Sequence, residues 1–98
     1  MAYSIIVSPR AQKEIENAID FYVIHSEDAP KRFLKMLVSS YKSLSMNPFY
    51  AIQYKNVRSL KISKFPFSLY FTVDEQEKLV RILACFHNKR NPKQQPRK

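Results

Sequence analysis

Glycine is absent from all 98 residues, and so is tryptophan. Without Gly the chain holds no phosphate-cradling P-loop, no dinucleotide-binding glycine fingerprint and no calcium loop of the EF-hand kind. A single cysteine excludes a disulfide framework and a cysteine-based zinc site. No apolar run approaches the ~20 residues of a membrane span. The opening Met1-Ala2-Tyr3-Ser4, followed only by Ile5-Ile6-Val7, does not resemble a secretory signal. A cytoplasmic protein with no membrane partner is expected. Acids are scarce too: Asp and Glu number 8 against 17 Lys and Arg, a formal charge of +9.

What is present fits one globular domain. The apolar fraction of 45% is ordinary for a folded protein and argues against wholesale disorder. The length suits a single core, since domains take roughly 100–200 residues. The charge is unevenly spread. Five of the eight acids lie between Glu14 and Asp28. From Ala29 to Val73 there is no acid, but there are eight bases: Lys31, Arg32, Lys35, Lys42, Lys55, Arg58, Lys61 and Lys64. Asp74, Glu75 and Glu77 form a second acidic group, and the bases after it are again unopposed. Such a surface attracts anionic partners: nucleic acid, an acidic protein segment or anionic lipid.

Periodicity supplies the elements. Tyr3 to Val7 alternates as a short strand. Ser8-Pro9 opens a helix, with Ser as N-cap and Pro preset for the first helical position. Its stripe is Ala11, Ile15, Ala18, Ile19 and Tyr22. Asp28 is expected to cap a second helix, whose stripe is Pro30, Phe33, Leu34, Leu37, Tyr41 and Leu44. Asn47-Pro48 stops it. Two helices joined by about four residues form an antiparallel hairpin. Three strands follow: one from Val57 to Ile62; one with Phe67, Leu69, Phe71 and Val73 on one face; and one with Val80, Ile82, Ala84 and Phe86 on one face. The expected fold is α+β, with a helical hairpin covering one face of a sheet of about four strands. Ile15, Ile19, Leu37, Leu60, Leu69, Phe71 and Ile82 are expected in the core. Residues 1–90 make the domain and 91–98 a basic, partly disordered tail.

Few residues carry obvious chemistry. His87, at the end of the last strand and followed by Asn88-Lys89-Arg90, has an imidazole suited to proton transfer near neutral pH. The plainer reading is a strand-end His bonded to a backbone carbonyl. Cys85, two residues before it, shares its sheet face, but a reactive thiolate needs exposure and a lowered pKa, and packing explains a small strand residue as well. Glu14, Glu16 and Asp20 read as a solvated helix face. Of the aromatics Phe65, Phe67, Tyr70 and Phe71, which could stack on nucleic-acid bases, Tyr70, off the apolar face with Ser68, is the better candidate. No His, Cys or carboxylate cluster has metal-ligand spacing, and no cofactor is expected.

Four strings in this order resemble the RelE/ParE superfamily, the toxins of bacterial type II toxin–antitoxin pairs. They are Ser8-Pro9-Arg10-Ala11 with Glu14-Ile15; Asp28-Ala29 through Phe33, Leu37 and Leu44 to Asn47-Pro48; Val57-Arg58 followed by Lys64-Phe65-Pro66-Phe67-Ser68-Leu69-Tyr70-Phe71; and Ile82 to Phe86 leading into His87-Asn88-Lys89-Arg90-Asn91-Pro92. The Phe-Pro-Phe block and the His-x-x-Arg-x-Pro ending resemble the ParE, or plasmid stabilisation, branch. That branch implies a toxin that poisons DNA gyrase without catalysis, with His87, Lys89, Arg90 and Lys93 against the target. The alternative the superfamily implies is a RelE-like, metal-independent endoribonuclease acting on mRNA at the ribosome, with His87, Arg90, Arg58, Lys61 and Tyr70 as its site. Ser68 stands where such nucleases tend to carry a base. Either branch implies neutralisation by a cognate antitoxin protein, in a homodimer or a toxin–antitoxin hetero-oligomer.

Overall fold

The computed structural model describes residues 2–50 and 52–88, with backbone only for Gln53 and Tyr54. The order is β1 (Ser4–Val7), α1 (Pro9–His25), α2 (Ala29–Met46), β2 (Ile52–Tyr54), β3 (Val57–Lys61), β4 (Phe67–Asp74) and β5 (Leu79–His87). The strands form one sheet in the order β1-β5-β4-β3-β2. β1 runs parallel to β5, and the other neighbours are antiparallel. The expected α+β architecture is therefore present, with β2 as a fifth, three-residue strand at the far edge. A run of three residues is too short to show a period of two, so periodicity does not reveal it.

The helix boundaries arise from local chemistry, with one correction. Ser8 caps α1 by accepting from the Ala11 N–H at 3.1 Å, and Pro9 occupies the first turn. Asp28 does not cap α2: its backbone is already helical and its side chain makes no capping bond. Ser26 does this work, its hydroxyl oxygen accepting from the N–H groups of Asp28 and Ala29, each at 3.2 Å. Ser26 lies farther back, in the extended conformation from which a hydroxyl reaches forward over exposed donors. At the other end Asn47 is extended before Pro48, as expected.

The helices cover one face of the sheet. Ala11, Ile15 and Ala18 of α1 and Phe33, Leu37 and Leu44 of α2 pack on Leu69, Phe71, Val80 and Ile82. Tyr22, Phe33, Phe65 and Phe67 meet as a cluster of rings 5.2–6.3 Å apart, in edge-on or tilted arrangements that suit the ring quadrupoles. Ile15, Leu37, Leu69, Phe71 and Ile82 are buried as expected; Ile19 and Leu60 are partly buried and packed against the same core. Leu34 departs from its stripe and is 43% exposed.

The main departure from the alternation is in β5. Tyr70 pairs with Ala84 but Phe71 pairs with Ile82, so Leu83 is an extra residue in a β-bulge. One inserted residue inverts a period of two. Val80 and Ile82 face the helices, but beyond the bulge Cys85 joins them, while Ala84 and Phe86 turn to the other face beside Val57 and Tyr70. The expectation that Val80, Ile82, Ala84 and Phe86 share a face is thereby corrected.

Candidate functional site

The best-formed cavity, about 250 Å³, opens between α1 and the ends of β4 and β5, with Glu14, Phe21, Tyr22, Phe67, Cys85 and His87 among its walls. Its geometry comes from the bulge. β1 pairs with β5 only as far as Val7 opposite Ile82, and Ser8 then closes the junction: its N–H donates to the Ile82 carbonyl at 2.9 Å and its hydroxyl to the Leu83 carbonyl at 3.1 Å. Past that point no strand among the described residues lies on the outer side of β5. The Cys85 N–H, which points there, donates instead to Glu14 Oε1 at 2.9 Å. Arg10 Nε donates to the other oxygen, Oε2, at 3.2 Å. Glu14 is therefore a bridge from α1 to the sheet edge and not the solvated residue its helical position suggests. Sequence reasoning missed it because the contact joins positions 71 residues apart.

Cys85 and His87 share this cavity, as their spacing implies. The thiol is not poised for attack. Burial, and then the Glu14 carboxylate beside it, push the Cys85 pKa up to about 12, so the thiol stays protonated at neutral pH, the opposite of what a nucleophile needs. Burial likewise raises the Tyr22 and Tyr41 hydroxyls, with Cys85 the lesser cause, and takes Tyr41 up to about 12. The His87 ring stands edge-on to Phe67 at 5.1 Å.

The other candidate residues are distributed over the sheet. Arg58 pairs with Phe71, whose side chain is in the core under the helices. Its guanidinium lies over the Phe49 ring, 5.4 Å from the centroid, and Nη1 donates to the Tyr50 carbonyl. Arg58 thus holds the chain between α2 and β2. Tyr70 and Lys61, the latter opposite Ser68, lie on the helix-free face. Tyr70 is 9% exposed and packs edge-on to Phe86 at 6.4 Å. Arg58 sits opposite Phe71 and His87 opposite Phe67. Four residues along β4 and two strand spacings across it put their backbones about 16 Å apart. Lys89, Arg90 and Lys93 lie outside the described residues. The described members of the nuclease set therefore occupy two faces and do not converge. Lys61, Lys64 in the β3–β4 loop and His87 do share one end of the sheet, opposite the Asp74–Glu77 turn. Ser68, also at that end, donates from Oγ to Asn88 Oδ1 at 2.7 Å. Among the described residues no group of three His, Cys, Asp or Glu could hold a metal ion, and no helix is long and apolar enough to cross a membrane.

Comparison with known proteins places this fold. A structure described as the chromosomal ParDE toxin–antitoxin system from P. aeruginosa superposes with a TM-score of 0.73 at 22% identity, covering 88% of this chain and 96% of that one. The RelBE2 toxin–antitoxin complex from Mycobacterium tuberculosis gives 0.65 at 17% identity, over 89% and 92% of the two chains. The isolated E. coli RelE toxin gives 0.58 at 16% identity, over 93% and 89%. At such identities these likenesses establish a common fold. No curated protein matches the chain in sequence. The family model described as the ParE toxin of type II toxin–antitoxin systems, parDE, matches residues 5–92, and because that span is nearly the whole chain, the protein belongs to the ParE toxin family.

Proposed function

We propose that this toxin acts by binding DNA gyrase, not by cutting RNA, and that a cognate antitoxin neutralises it. One observation carries the choice: the described members of the nuclease set do not meet. Phosphodiester cleavage needs a positioned base, a positioned acid and a cationic clamp at a single phosphate. Here Arg58 is engaged by the Phe49 ring and the Tyr50 carbonyl, Tyr70 is packed on the helix-free face, and His87 stands at a distant strand end. A binding surface has no such requirement. The end of the sheet carrying Lys61, Lys64 and His87, continued in sequence by Lys89, Arg90 and Lys93, offers a cationic patch to an acidic protein surface or to DNA phosphates.

The test is a paired assay on purified protein: supercoiling by gyrase, and cleavage of ribosome-bound mRNA. The expected result is inhibition of supercoiling with mRNA intact. Deleting residues 91–98 is expected to weaken inhibition more than His87→Gln does. The opposite pattern, with intact supercoiling and mRNA cleavage that falls about a hundredfold or more in His87→Gln, would replace this reading with the ribonuclease one.

A further inference from the structure

Glu14, Asn17, Ala18, Phe21 and Tyr22 recur at the three- and four-residue spacing that sets side chains on one face of a helix, and all five line the cavity beside β5. This face changes character along its length. Glu14 lies at one end, and Phe21 two turns on, about 10 Å along the axis. β5 follows the same division: Cys85 meets Glu14, and His87 stands with Phe67. At the second end four rings form a chain, Phe21 to Tyr22 at 5.4 Å, Tyr22 to Phe67 at 6.3 Å and Phe67 to His87 at 5.1 Å, each tilted 73–78° to the next. Rings nearly perpendicular to their neighbours wall a space instead of stacking it shut. Open volume forfeits dispersion contacts, and Phe21, 53% exposed, gains little where it stands.

The charge of the cavity is opposite to that of the molecule. The chain carries 17 Lys and Arg, yet none is among the described residues that line this space, and Glu14 is their one carboxylate. A carboxylate has about four acceptor sites. The Cys85 N–H and Arg10 Nε take two of those on Glu14. The Arg10 contact, at 3.2 Å from a side chain 46% exposed, is long for a charge-assisted bond, which runs at about 2.7–2.9 Å. Glu14 therefore keeps acceptor capacity for a second cation.

We propose that this cavity binds a small organic cation, its guanidinium or amidinium head held by Glu14 and its apolar ring lodged among Phe21, Tyr22, Phe67 and His87. A volume of about 250 Å³ falls just under the ~300 Å³ at which drug-sized sites begin, so the occupant is the size of one or two side chains. A planar, delocalised head suits the site better than an ammonium, because it is more weakly hydrated and loses less on partial burial. The same chemistry is carried by a free arylalkyl guanidine and by an Arg side chain beside an aromatic residue in a peptide. The inference goes beyond the toxin reading and does not rest on it, since binding is measured without reference to gyrase or RNA.

Phenylethylguanidine is the probe, with phenylethylurea, the same shape without the charge, as its twin. Titrated into the isotope-labelled full chain, the guanidine is expected to bind with a dissociation constant of about a millimolar or tighter, the range open to a ligand of about a dozen atoms. It should shift the backbone amides of residues 14–22 and 83–87 above all others. The urea should bind about tenfold or more weakly, the scale of a hydrogen bond to a charged group. Glu14→Gln, which keeps an acceptor for the Cys85 N–H, should erase that difference. Phe21→Ser, which alters a ring already half in water, should weaken both ligands alike. A blocked Phe-Arg dipeptide amide is the second arm: tighter binding than the guanidine assigns the head to a partner's Arg side chain, weaker binding to a free small molecule. Equal affinity for guanidine and urea, shifts centred elsewhere, or a Glu14→Gln protein that still prefers the guanidine would overturn the proposal. The guanidine–urea comparison and the shift map use the unaltered chain, so a variant that fails to fold leaves both decisive.

Discussion

Among the described residues three adopt positive φ, and all are lysines: Lys55 at 49°, Lys64 at 69° and Lys78 at 56°. In a chain without glycine, every left-handed turn position must carry a side chain, at a cost of roughly 1–2 kcal/mol each. Lys64→Gly is expected to stabilise the protein by about 0.5–1 kcal/mol, the relief of strain less the added freedom of the unfolded chain. Lys64→Ala keeps the Cβ and should gain nothing; urea unfolding distinguishes the two. Cys85 makes a second prediction. Its folded pKa of about 12 lies above the roughly 8.5 of an unfolded thiol, so between these values the folded state holds the proton that the unfolded state releases. Stability is then fully present below the unfolded value and is lost as pH rises toward the folded one. Its slope is at most about 1.4 kcal/mol per pH unit for one proton. Below pH ~10, where tyrosine hydroxyls and lysines still hold their protons, Cys85→Ala should flatten this decline while lowering stability overall.

At the level of elements, the bulge at Leu83 and the Glu14 carboxylate act as one device. The bulge brings Cys85 to the helix side, and β1 ends too soon to pair with β5 beyond Ile82. A helix side chain then replaces the missing strand. Glu14→Ala should cost about 1–3 kcal/mol, the penalty for a buried N–H left without its acceptor. Glu14→Gln keeps an acceptor oxygen and should cost clearly less, although it weakens the pairing with Arg10. Chemical denaturation of the three proteins checks the order; equal losses in both variants would assign the effect to the Arg10 pair instead. Ser8 is a comparable junction, capping α1 through its hydroxyl while tying the end of β1 to the bulged strand.

Across the whole molecule, charge of one sign predominates. Fifteen bases in residues 29–98 face three acids. Association with an acidic antitoxin should accordingly be fast at low salt and slow by one to a few powers of ten at high salt, with dissociation far less affected because apolar anchors hold the complex. Stopped-flow kinetics at two ionic strengths tests this. An association rate indifferent to salt would remove charge from the account of recognition.

Much of this molecule is set by short-range pattern. The stripe at Ala11, Ile15 and Ala18, the Ser8-Pro9 start, the Asn47-Pro48 stop and the alternation of Phe67, Leu69 and Phe71 each arise from the geometry of a single helix or strand, and they locate the helical hairpin and the main strands. The closing motif likewise marks the His87 end of the chain. What the pattern does not contain is contact across the chain. A bulge adds one residue without changing composition, so the turn of Cys85 toward the helices appears only once β4 supplies a register. Glu14 looks solvated on its helix until β5 presents an N–H with no neighbouring strand. Arg58 looks like a free cation until Phe49 and the Tyr50 carbonyl are folded against it. Local periodicity reports which way a side chain leaves its own element, whereas its partner belongs to another element brought alongside by the fold, and only the tertiary structure decides which one that is.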